Sequence, residues 1–279
     1  MSAKKVALVI GSGSVKCAAA LGLMKVFERE KINVDMVVGC SGGSLYAATI
    51  ALGWSTQKAI DETLRLWTRD VTAARNWGAY LQLFGLRRFD ERFGLVNDKL
   101  IRRRLSEAFG NTNLGNTQIP LFITATDFYS GEQEVMHGSQ YSLQDALRAS
   151  ISIPYIFAPH KIGERYFVDG YLSDPLPVGV AIREGADVII AIGFESPYQT
   201  RVSSILRYAF EISSITSNNL LQSNYAFHNL AHHSEIIPIM PEFEHRIHLF
   251  DTDKIPYVID AGERATEEQL TYIRKLLES

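Results

Sequence analysis

Hydrophobic positions along the chain fall into runs of two kinds. Residues 6–10 (Val-Ala-Leu-Val-Ile) are apolar without interruption and end at Gly11, the pattern of a strand buried on both faces of a parallel sheet. Over 17–31 the period changes: Ala20, Leu21, Met24 and Phe27 recur at helical spacing, with Lys25, Glu28 and Arg29 opposite. A second apolar run at 34–38 leads into Gly39-Cys40-Ser41-Gly42-Gly43, and the small residues from Ser44 to about Gly53 predict another helix. Strand, helix, strand, helix in this order predicts a right-handed crossover and a parallel sheet with helices on both faces.

Further along, residues 56–115 are helical and irregular, with Trp67, Trp77, Tyr80, Leu81, Phe84, Phe89 and Phe93 among many arginines, and read as an insertion over the sheet. Strands are predicted at 120–127 and 132–137 around the turn Tyr129-Ser130-Gly131, then at 165–169 and 186–193. Helices are predicted at 143–150, 177–184, 201–233 and 266–277, with a short strand or extended segment at 236–240. The expectation is a sheet of five or six strands in one domain spanning 1–279: a core over about 5–195, a helical insertion over about 56–117 and a C-terminal helical extension over about 196–279.

Composition narrows the classes. With 279 residues, 46% hydrophobic and 21% charged, the chain has the make-up of an ordinary folded protein. A net charge of −3 gives no general attraction to phosphate backbones, so nucleic acid is not expected as a partner. Cys17 and Cys40 are too few for a disulfide framework or a four-cysteine zinc site, and point to a reducing compartment. The apolar run at 6–10 is too short for a signal-peptide core, and no stretch reaches the roughly 20 apolar residues of a membrane span. A cytoplasmic location is expected, with any membrane contact peripheral, at the inner face.

Candidate chemistry sits where strands end. Gly39-Cys40-Ser41-Gly42-Gly43 fits G-x-S-x-G between a strand and a helix, a sharp turn that lifts a serine hydroxyl to the sheet edge in front of a helix N-terminus. Gly11-Ser12-Gly13-Ser14-Val15-Lys16 follows the first strand and offers backbone N–H groups to an anion. As a dinucleotide fingerprint it lacks an acid at the end of the second strand, which weakens the reading as a nucleotide-binding oxidoreductase. As an oxyanion hole it needs only donors near the serine. A base for Ser41 could come from seven histidines; His228, His232, His233, His245 and His248 lie late in the chain but in no glycine-flanked loop after a strong strand, and His137 and His160 read as structural. The other candidate is Asp169, which with Gly170 ends the apolar run Tyr166-Phe167-Val168 and becomes a useful base only if burial raises its pKa.

Gly11-Ser12-Gly13-x-x-Lys16, Gly39-x-Ser41-x-Gly43 and Asp169-Gly170, in this order, resemble the three signatures of the patatin-like phospholipases, especially short bacterial members related to the neuropathy target esterase catalytic domain. Thr126-Asp127-x-x-Ser130-Gly131, the segment Arg148-Ala149-Ser150-Ile151-Ser152-Ile153-Pro154, and Pro175-x-Pro177-Val178 resemble supporting segments of that family, and Ile259-x-x-Gly262 does so more weakly. The resemblance implies a three-layer α/β/α fold and a Ser-Asp dyad without histidine or metal: Ser41 as nucleophile, Asp169 as general base, an oxyanion hole in Gly11, Ser12, Gly13 and Ser14, and Lys16, Gly39, Gly43 and Gly170 in support. The implied reaction is hydrolysis of a lipid acyl ester through an acyl-enzyme, with no cofactor. Cys17, Tyr155 and Tyr171 stand where the family usually has smaller residues, so a catalytically impaired lipid-binding relative is the alternative.

Residues 65–104 hold ten Arg/Lys against four Asp/Glu, interleaved with Trp77, Tyr80, Phe84, Leu86, Phe89 and Phe93. Basic plus aromatic is an interfacial signature, and the expectation is that this insertion covers the site, lines an acyl pocket and meets anionic lipid.

Overall fold

A computed structural model describes residues 4–66, 68–195, 202–231, 233–248 and 251–278. The expectations for Trp67, His232 and the start of the 201–233 helix fall outside the described residues. Eight strands form one sheet: β1 (Val6–Ile10), β2 (Met36–Cys40), β3 (Leu121–Asp127), β4 (Gln133–Met136), β5 (His160–Ile162), β6 (Arg165–Asp169), β7 (Val188–Ile192) and β8 (Glu235–Ile239). Ten α-helices accompany them: α1 (Ala19–Glu30), α2 (Gly42–Ala51), α3 (Thr56–Leu66), α4 (Arg69–Ala73), α5 (Trp77–Leu83), α6 (Lys99–Phe109), α7 (Leu143–Ser150), α8 (Val178–Arg183), α9 (Ile205–Ala231) and α10 (Ile255–Glu278).

Hydrogen-bonded neighbours run β5-β6-β3-β2-β1-β7-β8, with β4 on the edge of β3 opposite the one that β2 and β6 share. From β3 through β2, β1 and β7 to β8 every pairing is parallel; β4, β5 and β6 add antiparallel pairings. Alternation along each central strand sorts its side chains into two apolar layers. Leu8, Ile10, Val37 and Ile190 pack with α1, α2, α7 and α10, while Ala7, Val9, Val38 and Ile189 pack with α8 and α9. Both faces are covered, so the strands read as unbroken apolar runs. The architecture is the expected three-layer α/β/α.

Two corrections concern extent. The sheet has eight strands, not five or six, because β8 joins its edge and β5 forms a three-residue hairpin with β6 that is too short to leave a periodic signal. Helix α10 begins at Ile255 rather than Thr266. Pro256 sits in its first turn, where a missing N–H costs nothing, and Gly262 is a helix crossing rather than a break. A Cβ on Gly262 would lie 2.1 Å from the Ala19 carbonyl oxygen, and one on Gly22 would lie 2.0 Å from that of Ile259, so two facing glycines let α1 and α10 pack backbone to backbone.

The arrangement around β3 positions the site. Thr124 pairs with Cys40 on one side and Val135 on the other, and Ala125 with Asp169 and Glu134. β2 and β6 therefore occupy the same edge of β3, end to end and pointing at each other. Their C-termini, Cys40 and Asp169, meet at adjacent β3 residues.

Candidate active site

Ser41 leaves β2 at a turn with φ 53° and ψ −130°, a left-handed-side conformation that costs a non-glycine residue of the order of 1–3 kcal/mol. The turn is held by its neighbours: the Ser41 amide donates to Ser150 Oγ at 2.8 Å, and the Ser41 carbonyl accepts from Ser44 Oγ at 2.6 Å. Helix α2 starts at Gly42, two residues earlier than expected, so its N-terminus stands directly behind the hydroxyl. Gly39 and Gly43 make this possible by close approach: a Cβ would lie 2.6 Å from Ser44 Cα at the first and 2.4 Å from the Gly11 carbonyl at the second.

Across from it, Ser41 Oγ donates to Asp169 Oδ2 at 2.8 Å, and the Tyr171 amide donates to Asp169 Oδ1 at 3.1 Å. Asp169 is fully buried. Burial pushes its carboxyl up to about 7, against the opposing pull of the Ser41 hydroxyl and the Tyr171 amide. Gly170 permits the approach, since a Cβ there would lie 2.6 Å from the Thr124 carbonyl. The Asp169 amide donates to the Ser152 carbonyl at 3.1 Å, and Thr126 Oγ1 donates to the Asp169 carbonyl at 3.0 Å.

The segment 148–152 thus holds both partners, Ser41 through Ser150 and Asp169 through Ser152. Buried Arg148 locks that segment: it donates to Ser152 Oγ at 2.7 Å and to Asp98 Oδ2 at 3.0 Å, with its guanidinium 4.9 Å from the Phe157 ring. Burial pulls Arg148 down to about 10. In the sequence this segment shows only an Arg and two Ser at i, i+2 and i+4, a signal that is ambiguous until the serines acquire partners from β2 and β6.

The loop after β1 lies against Ser41, a Cβ on Gly42 falling 2.7 Å from Ser14 Cα. Two of its four expected anion donors are already used, which corrects that expectation. The Gly11 amide donates to Ile192 at 2.9 Å and the Ser12 amide to Pro175 at 2.8 Å, stitching the loop to its neighbours. The amides of Gly13 and Gly42 donate to no described residue. Phe194 packs on Gly13, where a Cβ would lie 2.6 Å from the ring. Lys16, nearly buried and pulled down to about 8 by that burial, donates to the Glu195 carbonyl at 2.9 Å and so ties the loop to the chain after β7. Cys17 and Cys40 are buried, and burial raises both thiols. Tyr155, where the family often has glycine, has φ 67°, a conformation glycine adopts without strain.

The described histidines lie elsewhere. His160 Nε2 is 2.9 Å from Asp145 Oδ1, His137 stacks near Phe122, His228 packs on Gly179, His245 lies near Tyr257, and the His248 amide donates to Asp251. Among the described residues no group of three His, Cys, Asp or Glu could hold a metal. The insertion reaches the site by its backbone, Leu95 and Val96 donating to the carbonyls of Tyr155 and Ile156 at 2.9 Å. Trp77, Phe84, Leu86 and Phe89, however, are two-thirds exposed or more and face solvent instead of lining a pocket. No helix of the described residues is long and apolar enough to cross a membrane.

A family model described as patatin-like phospholipase matches residues 8–182. An uncharacterised NTE family protein of Mycobacterium bovis is 26% identical over 198 residues, 68% of this chain and 49% of that protein. An uncharacterised Bacillus subtilis protein, YqhO, is 24% identical over 295 residues, 95% of this chain and 98% of its own length. The neuropathy target esterase sws of Drosophila melanogaster is 26% identical over 210 residues, 73% of this chain and 14% of that protein. The chain spans about half the length of the first curated relatives it matches. Among solved structures, VipD from Legionella pneumophila aligns with a TM-score of 0.50 at 13% identity, over 98% of this chain and 67% of VipD, a likeness of fold.

Proposed function

The chain belongs to the patatin-like phospholipase family, and on that premise we propose that it hydrolyses carboxylic esters of lipids with a Ser41–Asp169 dyad. The observation that carries this reading is the 2.8 Å bond from Ser41 Oγ, on a strained strand-to-helix turn, to the fully buried Asp169 carboxylate. Asp169 takes the hydroxyl proton as Ser41 Oγ attacks the ester carbonyl, forming a tetrahedral adduct. A carboxylate with an ordinary pKa near 3.9 would be a weak base; one raised to about 7 is matched to neutral pH. The adduct's oxyanion is received by the amides of Gly13 and Gly42, with Ser14 beside them and the α2 N-terminus behind. Collapse expels the alcohol, which takes the proton from Asp169. Water, deprotonated by Asp169, then attacks the acyl-Ser41 ester and releases the fatty acid, and the proton returns to Ser41. The route asks for no metal or cofactor.

The ester resides in a lipid aggregate, and the insertion supplies one contact with it. Arg75, Arg87 and Arg88 make no ion pair among the described residues; Arg75 lies over the exposed Trp77 ring, and Arg87 and Arg88 stand between exposed Phe84 and Phe89 in the chain, a cationic and apolar surface suited to anionic lipid. Serine at Phe84, Leu86 and Phe89 together is expected to lower retention on anionic vesicles without changing reactivity toward a soluble probe.

The deciding experiment is the intact mass of the protein after exposure to a fluorophosphonate, with peptide mapping of the adduct. One adduct, on Ser41 and absent from Ser41→Ala, is the expected result. No adduct on folded protein, or one on another residue, overturns the dyad.

A further inference from the structure

Helix α9 connects β7 to β8, which run parallel as neighbours. A crossover need only be as long as the strands it spans, about 17 Å for five residues, whereas 27 helical residues extend about 40 Å. The contacts show where the excess goes. The second half of α9 lies over the sheet: Leu221 is buried with Val178, Ala181 and Ile189, and His228 packs on Gly179. The first half projects past the carboxyl edge of the sheet, where Ser213 Oγ is 2.6 Å from the Tyr171 hydroxyl, and Phe210 packs against the apolar core of the opposite layer. Tyr171 is the residue whose amide holds Asp169, so this half of α9 lies beside the proposed site.

Its outward face is apolar. Ile205, Tyr208, Ile212 and Ile215, spaced by three, four and three residues, form one stripe and are 90, 61, 48 and 38% exposed. One turn further on the exposed positions are Asn219, Gln222 and Ser223, which end this stripe; among the described residues, exposed large apolar side chains recur only at Phe227 and Leu230, near the other end of the helix. Arg207 and Glu211 are the only formal charges in the 27 residues, and among the described residues the Arg207 guanidinium donates to Ser203 Oγ and its amide to Ser204 Oγ. Exposed Leu172 follows Tyr171, and Tyr155 holds the insertion through its carbonyl. The proposed site is therefore tied to the apolar helix through Tyr171 and to the insertion, with its exposed aromatic rings and unpaired arginines, through the segment that ends at Tyr155.

We propose that the projecting half of α9 is a second lipid-docking element, which seats Tyr208, Ile212 and Ile215 in the interface of an anionic bilayer and holds the mouth of the Ser41 site against the membrane. The proposal rests on the hydrolase reading for the substrate's location. Its geometry favours a lipid surface over a protein partner because the stripe lies beside the Ser41 site, which an ester held in a bilayer must reach. The unpaired cations of the insertion match anionic headgroups. An amphipathic helix of this kind lies in the plane of the interface rather than spanning it.

The test compares the wild-type chain with Tyr208→Ser/Ile212→Ser/Ile215→Ser on vesicles of phosphatidylcholine alone and with added phosphatidylglycerol. The expected result is at least about tenfold weaker partition of the variant onto the anionic vesicles, with an unchanged rate of Ser41 labelling by a soluble fluorophosphonate and no loss in melting temperature. Equal partition of the two proteins overturns the proposal. So does a wild-type dimer in sedimentation that the variant converts to monomer, which would make the stripe a contact between copies. Failure of Ser41 to label in either protein would defeat the hydrolase reading, while the vesicle comparison would still decide the docking.

Discussion

In the proposed reaction the chemistry turns on Asp169, and its burial sets two expected pH dependences of opposite sense. As a base it must be ionised, so kcat/KM on a soluble ester is expected to rise through about pH 7 and flatten above it. Stability runs the other way. A carboxyl raised from 3.8 to about 7 on folding binds its proton more tightly in the native state. Its stabilising contribution is complete below about 3.8 and lost as pH rises through about 7. The ionised form then costs up to about 4 kcal/mol. Asp169→Asn should therefore lose turnover by a factor of about a thousand or more, yet melt higher than wild type at pH 8 and no higher at pH 4. Thermal scans at the two pH values check this; a lower melting temperature at pH 8 would mean the carboxylate is held by favourable contacts.

Among the elements, the segment that ends α7 carries the most consequence per residue. Ser150→Ala removes the acceptor of the Ser41 amide and leaves a buried N–H unpaired, costing about 1–3 kcal/mol. The expected signature is a drop of about ten- to a hundredfold in the Ser41 labelling rate, because the turn that aims Oγ relaxes. Arg148→Lys keeps the charge but loses the planar fork that bonds Ser152 and Asp98 together. Its kcat should fall with little change in KM. A change confined to KM would place Arg148 in substrate binding instead. These roles were hidden in the sequence because their partners are more than 100 residues distant for Ser150 and 50 for Arg148.

At the scale of the whole molecule, two described elements beyond residue 195 are built into the layers: β8 extends the sheet beside β7, and α10 lies on α1. The crossing at Gly22 and Gly262 has no room for a methyl group. Gly262→Ala should push the two helices apart and cost about 3 kcal/mol or more, as overpacking against backbone does. Denaturant unfolding measures it; a loss below about 1 kcal/mol would show that the helices slide freely.

The glycine, serine and aspartate spacings singled out Ser41 and Asp169 as candidates, and the apolar runs predicted the parallel sheet and its helical layers, because strand-end motifs and apolar runs are local in the chain. Tertiary structure alone decided the rest. It brought β2 and β6 head to head on one edge of β3, gave Ser150 and Ser152 their partners, and turned the Gly11 and Ser12 amides inward to fasten their loop. It also determined that half of α9 clears the sheet with an apolar face in solvent. The physical reason is that hydrogen-bond partners and exposure are properties of what lies alongside a residue in space, whereas periodicity records only what lies beside it along the chain.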